Sequence, residues 1–487
     1  MLFVASEAVP FCKTGGLADV AGSLPRALKH AGARVAVILP KYSSIPEKYK
    51  DEMKHVADFY VPLAWNNHYC GIEKLTLQDL DFYFVDNESF FKRDNLYSYF
   101  DDGERFAFFA KAVCEAMVKV PELECDVLHC NDWQSALCPV FLREFYRGIP
   151  ACDNVKTVFT IHNVKFQGQY SDQMLDVIGL SDVQAARDQL YCDRTSINFM
   201  KGACCYSDWL TTVSPSYAQE LQMPFYGEGL DYLFRRRHDS LSGILNGIDQ
   251  TIWNPATDTM IPYNYSNKDL TGKAQCKAAL QEELGLAQDP TRPLVVFVGR
   301  LTDQKGLGLI KYAMDGLMQR GVQVVILGTG DAAHEDAFRY FDFKYGDKMC
   351  ARIAFDNALS HRMYAGGDIL LMPSEFEPCG LSQMIAMRYG TLPVVRETGG
   401  LRDSVAPYNK YTGEGTGFSF ANMNGDELAD TLLGACEIFW TNPEAWSKLV
   451  DQAMTADFSW RRAANDYMDI YHTLHPEIIR YNKRRDR

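Results

Sequence analysis

Ser374-Glu-Phe-Glu-Pro-Cys-Gly-Leu-Ser-Gln383, followed by Tyr389-Gly-Thr-Leu-Pro-Val-Val-Arg-Glu-Thr-Gly-Gly-Leu-Arg-Asp403, is the stretch on which the reading of this chain turns. It opens where a short apolar run, 368–372, ends; that run reads as a buried parallel strand. Pro373 and Pro378 keep the next residues out of a helix. From Gly380 onward Leu381, Met384, Ile385 and Arg388 recur at helical spacing. Gly380, Leu381 and Ser382 therefore stand at a helix start, where amide hydrogens lack partners and suit a phosphate. Glu377 precedes them at the carboxyl end of the strand, where open α/β sheets bind ligands. A carboxylate there does not suit the phosphate. It suits sugar hydroxyls, or positive charge developing on a sugar carbon, so the pairing points to a nucleotide sugar.

The same alternation of apolar strand and helix recurs on both sides. Strands are expected at 2–6, 34–39, 82–86, 126–130, 156–161 and 209–213, with helical patterns such as 105–118 between them. A second set is expected at 293–298, 322–327, 352–355, 368–372 and 391–395. Two successive βα sets in 487 residues predict an α/β protein of two Rossmann-like domains facing across a deep cleft. The stretch 41–80 carries hairpin-like pieces and reads as an insertion; 187–206 reads as mostly helical.

Composition limits the function classes. Hydrophobic residues make up 47% and charged residues 23%, and the formal net charge is −14. That charge argues against nucleic-acid binding and leaves an anionic ligand dependent on a local basic pocket. The 14 cysteines include no CxxC pair and read as reduced, intracellular and mostly buried. The first residues read as a strand rather than a signal peptide, and no apolar run is long enough for a membrane helix. The basic tail with Arg480, Lys483, Arg484, Arg485 and Arg487 reads as a solvated end.

Several other strand ends carry polar groups. Pro10-Phe-Cys-Lys13-Thr-Gly15-Gly16-Leu-Ala-Asp19 brings a lysine, two glycines suited to a tight turn and close ligand approach, and an aspartate near the start of a helix that runs to His30. Taken alone, it is equally an ordinary βα turn. Asn131-Asp132-Trp133 and Thr160-Ile-His162-Asn163 follow two more strands. A lone histidine is more often structural, but three such ends on one rim favour a binding cleft. Arg300 and Lys305, in Gly299-Arg-Leu-Thr-Asp-Gln-Lys-Gly306, have the charges to neutralise a diphosphate; the alternative is a solvated basic loop. Phe355 offers a flat apolar face for a base, or else belongs to the core.

Taken together in order, these motifs resemble the bacterial-type glycogen synthases and plant starch synthases, over essentially the whole chain. The resemblance rests on Lys13-Thr-Gly-Gly-Leu-Ala-Asp19, Asn131-Asp-Trp133, His162-Asn163, Leu245-Asn-Gly-Ile-Asp249, Gly299-Arg-Leu301, Lys305-Gly306, Phe376-Glu-Pro-Cys-Gly-Leu381 and Arg396-Glu-Thr-Gly-Gly-Leu401. Ala18 stands where glycine is common, Phe355 where tyrosine is usual, and Ile385 where many relatives of the fold carry a second glutamate. The resemblance implies the GT-B fold, with an acceptor-side domain over 1–245, a donor-side domain over 246–458, and a C-terminal helix, 459–487, crossing back to the first.

It implies transfer of glucose from ADP-glucose to the non-reducing end of an α-1,4-glucan, glycogen or a maltooligosaccharide, with retention and without a cofactor or metal. Arg300 and Lys305 would hold the diphosphate, and Glu377 would favour an oxocarbenium-like transition state. His162 would contact glucose, with Asp132 ordering the cleft. Lys13, Gly15, Gly16, Asn246, Cys379, Gly380, Leu381 and Ser382 would complete the donor site, and Phe355 would stack on adenine. Asp19, Trp133 and Asn163 would line the acceptor side. The expected compartment is the bacterial cytoplasm, or the plastid stroma for a mature plant-type chain. Three alternatives stay open: glucan phosphorylase chemistry, for which no pyridoxal-phosphate lysine motif is found; a glucan-binding scaffold without turnover; and a transferase using UDP-glucose or another acceptor.

Overall fold

The structure, a computed structural model, describes residues 1–477; the basic tail lies outside them. Contacts divide the chain into two compact units. One comprises Met1–Val213, Ala218–Asn246 and the chain from Trp460; the other comprises Ser214–Tyr217 and Gly247–Ser459. The short segment 214–217 joins the second unit because Ser214 Oγ donates to Pro378 O at 2.6 Å and Ser216 Oγ to Asp403 Oδ1 at 2.7 Å.

The first unit is built on β1 (Leu2–Val4), β2 (Ala36–Pro40), β3 (Lys54–Leu63), β4 (Asn66–Leu77), β5 (Leu80–Asp86), β6 (Val127–Asn131), β7 (Lys156–Ile161), β8 (Gln169–Ser171), β9 (Ser196–Asn198), β10 (Trp209–Thr212) and β11 (Leu241–Gly243). Nine of them form one sheet in the order β11-β10-β7-β6-β1-β2-β5-β4-β3, while β8 and β9 pair separately. The pairs from β11 through β5 are parallel, and β4 and β3 add an antiparallel edge. The stretch expected as an insertion is thus part of the main sheet. Phe59, Val61 and Leu63 of β3 are buried at alternate positions, which is how a strand with one covered face behaves. The stretch expected as mostly helical is interrupted by β9.

The direction of the chain switches at β1. Its two neighbours are β2 and β6, reached by connections on opposite sides, so the loops after β1 and β6 flank a crevice at the carboxyl edge. The helix Gly16–His30 buries Leu17, Val20, Ala21, Leu24 and Leu28 at three- and four-residue spacing. The helix Trp460–Leu474 packs against it, burying Trp460, Ala463, Ala464, Tyr467, Ile470 and Tyr471. Tyr471 also bonds the unit's core: its hydroxyl lies 2.7 Å from His129 Nδ1.

The second unit contains β12 (Leu294–Val298), β13 (Gln323–Leu327), β14 (Met349–Arg352), β15 (Ile369–Met372), β16 (Leu392–Arg396) and β17 (Phe418–Phe420). They form a six-stranded sheet, parallel throughout, in the order β14-β13-β12-β15-β16-β17. This doubly wound order reverses between β12 and β15. The strand expected at 352–355 is found at Met349–Arg352, which leaves Phe355 in the following loop. Among the described residues no helix is long and apolar enough to cross a membrane.

Candidate functional site

In the second unit, the loops after β12 and β15 meet at the switch point. Gly306 makes the meeting possible. Its φ is +69°, and a Cβ there would lie 1.9 Å from Pro373 O, so only glycine allows the loop this close to the end of β15. Glu375 N donates to Gln304 O at 2.8 Å and Gln304 Nε2 to Phe376 O at 3.2 Å, tying the loops together. Lys305, one residue before the glycine, then places Nζ 2.6 Å from Glu377 Oε2. Ser374 Oγ donates to the same oxygen at 2.9 Å. Glu377 is buried, and its Oε1 keeps no protein partner among the described residues.

Glu377 is also braced from β16. Gly400 N donates to Glu377 O at 3.0 Å, and a Cβ on Gly399 would lie 2.0 Å from that oxygen. The Gly399-Gly400 pair, which the sequence showed without a role, is what lets the third loop close on the glutamate's backbone.

Arg300 lies on the same basic loop, held by Leu301 N donating to Thr329 O at 2.9 Å. It is exposed and makes no hydrogen bond or ion pair among the described residues, so its charge is unspent. Gly380, Leu381 and Ser382 are half-buried ahead of a helix of only 7 residues, Ser382–Arg388, whose backbone ladder begins with Ile385 N donating to Leu381 O. A helix so short has a small dipole, so an anion here would rely mainly on the two cations. Cys379 is buried. Phe355 is 89% exposed, so it is not a core residue.

The first unit brings three loops together at the carboxyl edge of β1, β6 and β7. After β1, Glu7 is buried and its Oε2 accepts from Thr14 N at 2.5 Å and from Thr14 Oγ1 at 2.7 Å. Burial raises its pKa, against the pull of the Thr14 bonds. Glu7 thus anchors the loop that carries Lys13, a role the sequence did not reveal; a carboxylate directly after the first strand was the available signal. Lys13 Nζ pairs with Asp19 Oδ2 at 2.7 Å. Asp19 therefore does not cap its helix; Gly15 occupies the cap position with φ −153°, which any residue adopts. Of the two reasons expected for Gly15, the tight turn does not hold.

After β6, Asp132 sits at φ +56°, a strained backbone for a non-glycine residue. Its Oδ1 accepts from His162 N at 2.8 Å, so the ends of β6 and β7 are locked together. Burial pushes its pKa up to about 7, although amide bonds from His162 and Asn163 oppose this. His162 Nε2 lies 2.9 Å from Asn131 Oδ1, and burial lowers the ring's pKa to about 3. Trp133 packs edge-on against Phe106, and Asn163 Oδ1 accepts from Lys165 N at 3.0 Å within its own loop. Asn246, at the end of this unit, is buried with an Oδ1 that has no hydrogen-bond partner.

Asp303, Asp331 and His334 bring potential metal-ligating atoms within 4.8 Å of one another. Both ring nitrogens are already engaged, Nε2 with Asp303 Oδ1 at 2.8 Å and Nδ1 with Lys311 Nζ at 3.2 Å. With an ammonium at one nitrogen, the group reads as a hydrogen-bond chain holding the turn before Lys305.

Comparison with known proteins bears on both units. The family model described as starch synthase catalytic domain matches residues 1–236, and that described as glycosyl transferases group 1 matches residues 282–437. A glycogen synthase of Clostridium novyi (strain NT) is 47% identical over 476 residues, 97% of this chain and 99% of that protein. One from Desulforamulus reducens is 49% identical over 475 residues, 97% of this chain and 98% of that one. Among solved structures, the catalytic domain of starch synthase IV from Arabidopsis thaliana, bound to ADP and acarbose, superposes with a TM-score of 0.88 at 35% identity, covering 97% of this chain and 98% of that one.

Proposed function

The chain belongs to the glycogen and starch synthase family of glucosyltransferases, and from that premise we propose that it transfers glucose from ADP-glucose to the non-reducing end of an α-1,4-glucan, with retention. The observation that carries the reading is the 2.6 Å pair of Lys305 Nζ and Glu377 Oε2 beside the unspent charge of Arg300, at the switch point of the second sheet.

Each group has a task in this reaction. Arg300 and Lys305 bind the diphosphate and offset the charge that grows on it as the glucosyl bond breaks. The amides of Gly380, Leu381 and Ser382 add neutral donors, next to Cys379. Glu377 accepts from glucose hydroxyls and stabilises positive charge at the anomeric carbon. Phe355 stacks on adenine, and its exposure leaves both faces of the ring available. Asn246 adds to the contacts with the sugar. In the first unit, Lys13, Gly15 and Gly16 form an anion-binding loop, and His162 accepts from a sugar hydroxyl while Asp132 holds its loop. Asp19, Trp133 and Asn163 belong to the glucan side.

Retention follows from front-face displacement. The acceptor 4-oxygen bonds to the anomeric carbon on the face from which the phosphate oxygen leaves. That departing oxygen takes the acceptor's proton, so no separate base is required.

The test is product analysis. Label from ADP-glucose should enter glycogen in outer chains and be released as maltose by β-amylase. Label that resists β-amylase, or that stays with free sugar, contradicts the proposed linkage and acceptor.

A further inference from the structure

Asn131 ends β6 and is only 1% exposed. Its Nδ2 lies 3.0 Å from Val4 O and 3.4 Å from His129 O. Both are carbonyl acceptors, so this atom must be the amide NH₂, and the other side-chain atom is the oxygen. That oxygen lies 2.9 Å from His162 Nε2. A carbonyl oxygen only accepts, so Nε2 carries a proton, and because burial keeps the ring neutral Nδ1 is a bare acceptor. Nδ1 has no partner among the described residues and is not among the sealed, unsatisfied atoms. The backbone on either side is held as well. His162 N donates to Asp132 Oδ1 at 2.8 Å, and Ser135 Oγ donates to Asn131 O at 2.8 Å.

We propose that Asn131 is a positioning residue: anchored on Val4 O of the neighbouring strand, it fixes His162 as the Nε2–H tautomer and leaves the Nδ1 lone pair for a substrate hydroxyl. The inference rests on the reading of His162 as a sugar contact. Its consequence is a polarity at that point of the site. His162 accepts a hydrogen bond from the sugar and cannot donate one. A sugar with a free hydroxyl there is bound; one with an ether oxygen or no oxygen loses the bond.

The experiment uses the full chain labelled with ¹⁵N-histidine. A long-range ¹H–¹⁵N correlation spectrum reports the tautomer, and His162→Gln identifies the signal. The wild-type signal should be that of the Nε2–H form; an Nδ1–H form would overturn the proposal. Two variants add a functional readout. Asn131→Asp keeps an oxygen facing Nε2, whereas Asn131→Leu does not. The Asp variant should keep the tautomer, and the Leu variant should mix tautomers and lose roughly tenfold to a hundredfold more kcat/KM than the Asp variant.

A merely structural role predicts the reverse order, because Asp sets a charge against Val4 O and His129 O while Leu does not. That reverse order with unchanged tautomers contradicts the proposal. If Asn131→Leu fails to fold, the wild-type tautomer still decides. The two readings fail separately. Normal turnover in His162→Gln removes the sugar contact, whereas an inactive His162→Gln with wild-type His162 in the Nδ1–H form removes only the role of Asn131.

Discussion

Lys305 Nζ stands 2.6 Å from Glu377 Oε2, with side chains only 16% and 9% exposed. Little water screens this pair, and each charge depends on the other. In the proposed reaction a diphosphate would give Lys305 a second anion, and Glu377 would keep Oε1 for the sugar. Lys305→Ala and Glu377→Gln should each lower the rate of glucose transfer by roughly 10²- to 10³-fold, the scale seen when one preorganised transition-state contact is removed. The double variant should lose less than the product of the two losses, because the groups act as a unit. Initial rates with ADP-glucose and glycogen measure this. Near-normal turnover in either single variant refutes the role given to that residue.

Gly306→Ala tests why the two loops meet. A Cβ would lie 1.9 Å from Pro373 O at φ +69°, so the loop must withdraw. The expected cost is about 1–3 kcal/mol of stability, together with an activity loss from the displaced Lys305. A variant with unchanged melting temperature and unchanged rate would show that the contact does not position the lysine.

These two cases mark what the sequence made legible. Most parallel strands of both sheets stand out because they are apolar runs, as strands covered on both faces must be; the short edge strand Phe418-Ser-Phe420 has no such run and is not legible. Arg300, Lys305 and Glu377 stood out because polar residues at the ends of such runs are conspicuous. The partners that hold them did not. Nothing in the sequence brings Gly306 to Pro373, Gly399 to the carbonyl of Glu377, or Asn131 to Val4, because each is a contact between distant segments. Glu7 follows the expected strand 2–6, but nothing in the sequence shows that its carboxylate turns back to Thr14. The hairpin-like pieces of 41–80 read as an insertion because an alternating antiparallel pair lacks the apolar run of the parallel strands, yet β3 and β4 form the edge of the main sheet. The strand near 350 was misplaced because Ile353 and Phe355 look apolar, yet Phe355 is 89% exposed.

Phe355→Ala should leave the melting temperature unchanged, since so exposed a ring contributes little to packing. It should raise KM for ADP-glucose roughly fivefold or more, the effect of losing about 1 kcal/mol or more of base stacking. An unchanged KM would remove Phe355 from the adenine site.

His129 predicts how the chain responds to acid. It is fully buried between Tyr471 and Thr160, and burial lowers its pKa from 6.5 to about 3. The unfolded ring takes up a proton below about pH 6.5, while the folded ring stays neutral to about 3. Its contribution to stability is therefore present above pH 6.5 and lost progressively as pH falls towards 3. Between pH 7 and pH 5 this amounts to about 2 kcal/mol. Urea midpoints at the two pH values should fall less in His129→Gln than in the wild type. Equal falls would show that His129 titrates alike in both states.

The most direct test of the account is the initial rate of glucose incorporation into glycogen from ADP-glucose, run beside UDP-glucose under the same conditions. The account predicts incorporation mainly from ADP-glucose, and its collapse to near background when Lys305 or Glu377 is replaced. Equal or faster incorporation from UDP-glucose would contradict the donor assignment, and no incorporation from either by folded protein would contradict the proposed reaction itself.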